Sequence, residues 1–254
     1  MMESMKGKVV LITGGGKGIG YGVARAFARA GASIALTGRT LSTLEEASKN
    51  LRADFDADVM FVQADGGDEA SVKNVLSEVV KKYGHLDCLI NNAQSSKSGM
   101  KLKDHTKEDF DLAIYTGLYA TFFYMREAYP YLKESHGSVI NFASGAGLAG
   151  RDGQSSDAAA KEGIRGRSRV AATEWGPDGI KVNVICPLAM TPGLEQWKQD
   201  YPELYEKTIK GVPLQRFADA EQDIGRVCVF LASDDASYIT GETITLQGGS
   251  GLRP

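Results

Sequence analysis

Lys8-Val9-Val10-Leu11-Ile12-Thr13-Gly14-Gly15-Gly16-Lys17-Gly18-Ile19-Gly20 passes from an unbroken apolar run into a glycine-rich turn, and the apolar-patterned stretch Val23 to Ala30 follows directly. A strand that feeds a helix through glycines lets backbone N–H groups approach a pyrophosphate closely, and the helix N-terminus adds a favourable dipole. Such a turn also serves tight strand-to-helix packing with no ligand present. Its context favours a dinucleotide: the unit comes first in the chain, and the short strand Ser33-Ile34-Ala35-Leu36-Thr37 follows at βαβ distance.

Outward from that unit, β-rich runs alternate with helical patterns along the whole sequence, as in a parallel sheet covered on both faces. The expected strands are 8–12, 32–37, 58–63, 86–90, 137–142, 180–185 and 242–246. The expected helices are 18–30, 42–53, 68–83, 107–133, 157–176, 195–210 and 219–232. Val72, Val75, Leu76, Val79 and Val80 form a stripe at helical spacing, and Ser42 to Glu45 has the pattern of a capping box. Three long connections, 93–106, 144–156 and 187–217, follow strands four, five and six. Ligands in open parallel sheets bind beyond the carboxyl ends of the strands, so the site is expected among these loops. The third holds Trp197, Tyr201 and Tyr205 with Lys198 and Lys207, and reads as a helical lid over substrate.

The 254 residues are 43% hydrophobic, enough to bury a large core, and no linker, low-complexity run or repeat divides them, so the fold class is α/β in one domain over 1–254. A net charge of −3 with both signs interspersed gives no case for nucleic acid or an anionic membrane as partner. Cys88, Cys186 and Cys228 are odd in number and far apart, which suggests neither disulfides nor zinc but buried thiols in a reducing, cytoplasmic setting. Met1-Met2-Glu3-Ser4-Met5-Lys6 lacks an apolar signal core, and no apolar run has the length of a membrane span. His85, His105 and His136 have no ligand spacing, so no metal is expected.

Several motifs in order carry a resemblance: Thr13-Gly14 to Gly18-Ile19-Gly20, Asp65 ending strand three, Asn91-Asn92-Ala93 after strand four, Ser144 after strand five, Lys161, and Gly241 to Gly248-Gly249. Together they resemble the short-chain dehydrogenase/reductase family over nearly the entire chain. The resemblance implies a single Rossmann-like domain with a seven-stranded parallel sheet and helices on both faces. It also implies a homotetramer, or a homodimer, acting on a small-molecule substrate with a nicotinamide cofactor. The glycine turn (Gly14, Gly16, Lys17, Gly18, Ile19, Gly20) would hold the cofactor, Asp65 with Gly66 would meet the adenine, and Asn91 to Ala93 would line the adenosine ribose side. Pro187 and Thr191 would join them, Lys161 would hold the nicotinamide ribose, and helices 107–133 and 157–176 would form the dimer face.

Charge points to NADP(H). An acidic side chain ending strand two would bind the ribose hydroxyls of NAD, but here the strand ends Thr37-Gly38-Arg39 with no carboxylate. Lys17 adds a second cation, and Arg39 can grip a 2′-phosphate through its planar fork. The bland alternative is that both cations are merely solvated.

The catalytic half departs from the family. Carbonyl-reducing members use serine, tyrosine and lysine, the tyrosine thirteen residues after the serine and four before the lysine; here Ser144 and Lys161 are kept and Asp157 stands between them. Gly117 falls where a helix-borne asparagine supports a proton relay, Gln94 replaces the last glycine of the Asn-Asn-Ala-Gly motif, and Pro187-Leu188-Ala189-Met190-Thr191 lacks the usual Pro-Gly. A phenol titrating near ~10 can be tuned toward neutrality, whereas a carboxyl near about 3.9 beside an ammonium is protonated in only about one molecule in a thousand at pH 7. Losing a general acid costs ~10²- to 10⁴-fold.

Three readings follow. Hydride transfer persists with Ser144 polarising the carbonyl and the proton coming from water, Asp157 or a tyrosine such as Tyr115 or Tyr119. Alternatively Asp157 is the base of a redox-neutral lyase or isomerase. In the third the chain is a catalytically silent NADP-binding protein, an engineered loss of tyrosine included. The plain structural account of Asp157 is a first-turn residue of helix 157–176, favoured by the helix dipole and paired with Lys161. Trp197, Tyr201, Met190 and Met100 suggest an apolar pocket for a cyclic or aromatic ketone or alcohol.

Overall fold

The computed structural model describes residues 4–251; the first three residues of the Met1 to Lys6 segment and the last three of the 1–254 domain lie outside the described residues. Apolar and β-branched runs form β1 (Val9–Thr13), β2 (Ser33–Gly38), β3 (Val59–Gln63), β4 (Cys88–Asn91), β5 (Ser138–Phe142), β6 (Lys181–Pro187) and β7 (Thr243–Leu246). All pair in parallel in the order β3-β2-β1-β4-β5-β6-β7. The order reverses between β1 and β4, so a crevice opens beyond Thr13 and Asn91, which are paired neighbours at the two strand ends.

Side-chain alternation splits the core into two layers. Val10 and Ile12 of β1 join Val23, Phe27, Leu44 and Cys228 on one face. That face is covered by α1 (Gly18–Arg29), α2 (Leu41–Phe55) and α10 (Arg226–Ala232). Val9 and Leu11 join Val72, Val75, Leu76, Val79, Met125 and Leu132 on the other. There the cover is α3 (Glu69–Tyr83), α5 (Ala120–Ser135) and α7 (Ser155–Trp175). The result is the expected single Rossmann-like α/β domain, every strand within two residues of its sequence reading.

The helices differ more. Helix 107–133 is α4 (Lys107–Ala113), a wide π turn (Ile114–Tyr119) and α5 in continuous succession. Segment 219–232 likewise opens with a π turn (Ala220–Gly225) before α10. Helix 195–210 is two helices, α8 (Pro192–Asp200) and α9 (Pro202–Lys210), because Pro202 has no N–H to continue the first and is well suited to start the second. The expected box from Ser42 to Glu45 is not the cap of α2, which starts at Leu41 behind an extended Thr40 whose side chain makes no capping bond. The remaining helix, α6 (Gly145–Ala149), is one short turn within the connection after β5.

Gly20 marks where α1 and the glycine turn meet. A Cβ there would collide with Gly14 O and lie 2.6 Å from Asn92 Nδ2. Backbone cannot move aside cheaply, so Gly20→Ala is expected to cost about 3 kcal/mol, a fall of roughly 6–12 °C in Tm, readable by calorimetry.

Candidate active site

Beyond the ends of β1 and β4 lies a cleft of ≈ 530 Å³. Gly14, Gly16, Lys17, Gly18 and Ile19 line it from the turn; Arg39 comes from behind β2, Asp65 and Gly66 from behind β3, Asn91 and Ala93 from β4, and Thr191 from the connection after β6. Of the expected cofactor positions, Gly20, Pro187 and Lys161 are not in this lining.

The cleft's own chemistry fits a dinucleotide. Lys17 is the N-cap of α1 in extended conformation and its side chain makes no capping bond; the first turn carries no acid. The bond that opens the helix is Tyr21 N to Lys17 O, 3.3 Å, and within the turn Gly14 N is held by Thr37 O at 2.7 Å; the N–H groups that a helix leaves free in its first turn are the donors an anion site uses. Gly18 has φ +56°, and a Cβ there would find only Pro192 Cδ at 3.9 Å, so no side chain fills the space over the turn. Asn91 donates to Asn141 Oδ1 at 2.9 Å while its own Oδ1 is buried with no partner among the described residues. Arg39 is exposed and donates to Ser95 Oγ at 2.8 Å, which leaves further guanidinium N–H groups for a ligand. Lys17 is exposed with no ion pair among the described residues.

Ser144, Asp157 and Lys161 are set by the start of α6 and the first turns of α7. Ser144 caps α6, accepting from Ala146 N at 3.1 Å, and its hydroxyl proton has no acceptor among the described residues. Lys161 is buried and donates to Phe142 O at 2.9 Å. Burial pulls this ammonium down from 10.5 to about 8, against the opposing pull of Asp157 and then Cys186. Asp157 stands in the first turn of α7, but the expected pairing with Lys161 is absent: among the described residues no ion pair joins them. Its Oδ1 instead accepts from Gln94 Nε2 at 2.7 Å and from Ser96 Oγ at 3.5 Å.

Charged Lys161 in a buried site costs stability, which fixes a sign. Below about pH 8 both folded and unfolded chains carry the proton and the whole cost is present; between about 8 and 10.5 the folded state releases it first, and the cost fades. Lys161→Met is therefore expected to melt above the wild type at pH 7, by on the order of 3 kcal/mol less the lost bond to Phe142 O. The gap should close as pH climbs toward 10.5, which a series of melts reads.

Gln94 is a contact that sequence reading missed as such. Ser95 N donates to Thr116 Oγ1 at 2.9 Å, which binds the loop after β4 to the π turn. That tie sets Gln94 against Gly117, where a Cβ would fall on Gln94 Oε1 and 2.7 Å from its Cδ. The two neighbouring loops are also joined, Gly99 N to Gly153 O at 2.8 Å and Met100 bridged to Gln154. After β6, Met190 N bonds Ala218 O at 2.9 Å and Ala218 N bonds Leu188 O at 3.0 Å, so the α8–α9 excursion leaves and returns at one point.

An open cleft at the switch point of a seven-stranded parallel sheet fits the oxidoreductases of the short-chain dehydrogenase/reductase family, and the chain belongs to it. The family model described as enoyl-(acyl carrier protein) reductase matches residues 14–250. A 12alpha-hydroxysteroid dehydrogenase from Clostridium sp. (strain ATCC 29733 / VPI C48-50) is 59% identical over 259 residues, covering 100% of both chains. The 3-oxoacyl-[acyl-carrier-protein] reductase FabG of Thermotoga maritima is 33% identical over 96% of this chain and 98% of its own. Among solved structures, levodione reductase superposes with a TM-score of 0.91 at 32% identity, covering 97% of this chain and 98% of that one. No helix among the described residues is long and apolar enough to cross a membrane.

Proposed function

We propose that this chain is an NADP(H)-dependent oxidoreductase of a steroid hydroxyl or keto group, with Asp157 in the place of the family tyrosine and in charge of the proton. The observation that carries the substrate class is the 59% identity, end to end, with a 12alpha-hydroxysteroid dehydrogenase. Tyr201 and Leu204, both exposed on the α8–α9 excursion, suit an apolar polycycle, and Trp197 packs edge-on against Tyr205 beneath them. In this reading the excursion is a lid.

Lys17 and Arg39 support the phosphorylated cofactor through two cations at the cleft rim. Bound NADP(H) supplies the hydride donor or acceptor. Ser144 donates its free hydroxyl hydrogen to the substrate oxygen, and Lys161, which donates to Phe142 O and to no carboxylate among the described residues, orients the site. Asp157 Oδ2 has no hydrogen-bond partner among the described residues and is not buried, so it is free to take a proton from a substrate hydroxyl. The reading also carries a homotetramer and a cytoplasmic setting, the former supported by exposed Tyr115, Tyr119, Phe122 and Val170 on the π turn, α5 and α7.

Incubating the protein with a 12α-hydroxysteroid and NADP⁺ or NAD⁺ tests it. The expected result is a rise in reduced-nicotinamide absorbance that is faster with NADP⁺. Steroid conversion with no absorbance change would instead mark a redox-neutral enzyme using Asp157 as base.

A further inference from the structure

The departures at positions 94, 117 and 157 touch one another. Gln94 Nε2 donates to Asp157 Oδ1 at 2.7 Å across 63 residues of sequence, and Ser96 Oγ adds a weaker contact to the same oxygen. Only the N–H₂ end of the amide can face a carboxylate, so its orientation is fixed and Oε1 points into the π turn, buried and unpartnered. Any side chain at 117 would occupy that room. The amide missing from the helix is thus supplied from the loop after β4.

We infer that Gln94 is a positioning residue: it clamps Asp157 Oδ1 so that Oδ2 is presented as a hydrogen-bond acceptor, and the site thereby selects the alcohol over the ketone form of its substrate. The inference rests on the reading that a steroid oxygen reaches Asp157. An ionised carboxylate accepts and cannot donate, so it bonds a hydroxyl and offers nothing to a carbonyl. Fixing one oxygen removes the freedom of the side chain to turn away, which lowers the ordering cost of binding. Gly117 belongs to the same device because it alone leaves space for the clamp.

Dead-end complexes read this without turnover: a 12α-hydroxysteroid titrated into the NADPH complex, and its 12-keto counterpart into the NADP⁺ complex, by calorimetry. Gln94→Met keeps the length but donates nothing, and is expected to weaken the alcohol about tenfold, the scale of a hydrogen bond to a charged group, with the ketone unchanged. General loosening of the site would weaken both, and equal losses overturn the proposal, as does unchanged alcohol affinity.

Gly117→Asn alone is expected to lower Tm. Combined with Gln94→Gly it should recover Tm and most of the alcohol affinity, because the amide now comes from the helix side. If the wild type binds neither steroid, the substrate assignment fails and the melts still judge the clamp. A double variant more stable than Gly117→Asn keeps it, and strictly additive losses reject it.

Discussion

Asp157→Asn is expected to lower steroid turnover by about 10²- to 10⁴-fold, the scale of a lost general acid or base. The exchange keeps shape and most of the hydrogen bonding, since the new amide oxygen can still accept from Gln94 Nε2 as Asp157 Oδ1 does at 2.7 Å. What disappears is the capacity of residue 157 to hold a proton. Steady-state rates with NADP⁺ and a 12α-hydroxysteroid, set beside the melting temperature of both proteins, make the comparison. A folded variant that turns over within about threefold of the wild type would make Asp157 a structural first-turn residue, because so small a loss lies outside the range for proton transfer. Asp157→Tyr is not the simple inverse: a phenol at 157 must find room beside Gln94, so the family residue returns cleanly only with a smaller side chain at 94.

The second large effect concerns cofactor choice. The double change Lys17→Ala and Arg39→Ala is expected to raise the Kd for NADPH by on the order of 10²- to 10³-fold and to leave NADH nearly untouched. Each charge-assisted bond to a phosphate is worth about 1.5–3 kcal/mol. Both side chains are exposed, so the wild-type preference should shrink with added salt. Arg39 already donates to Ser95 Oγ, which holds the guanidinium at the rim before any ligand arrives and reduces what ordering it costs. Fluorescence titration with both reduced cofactors decides the matter, and an equal loss for NADH would remove the 2′-phosphate from the argument.

What the sequence made legible follows from how local the signal was. The central strands β1, β4 and β5 are short apolar runs buried on both faces, as with Val9 to Thr13, and a run like that means the same thing in any context. Tyr201-Pro202 carried the break between α8 and α9 in plain view, and a long periodic pattern hid it. The π turns at 114–119 and 220–225 are different. The second packs closely on α1, where a Cβ on Gly22 would lie 2.6 Å from the Ala220 carbonyl carbon, a contact between distant parts of the chain that no local preference announces.

The residues that line the cleft were legible because one glycine turn and one strand end each carry their own meaning. The catalytic side was harder. Asp157 looked like a residue answering to Lys161 one helical turn away, yet Lys161 turns to Phe142 O and Asp157 to a loop far off in sequence. The hint was the coincidence of three unusual residues, Gln94, Gly117 and Asp157, in one chain. Read singly they are departures from the expected pattern; in space they make a contact.

The paired bonds between Leu188, Met190 and Ala218 carry a consequence for how such enzymes diversify. A segment whose two ends are stitched side by side can change between its anchored parts, here the cleft-lining Thr191 and the stretch from buried Val212 to buried Phe217, with little disturbance to the sheet. The stretch 194–210, between the cleft-lining Thr191 and the buried Val212, can therefore vary as a cassette, and substrate preference can drift between cousins while the cleft stays fixed.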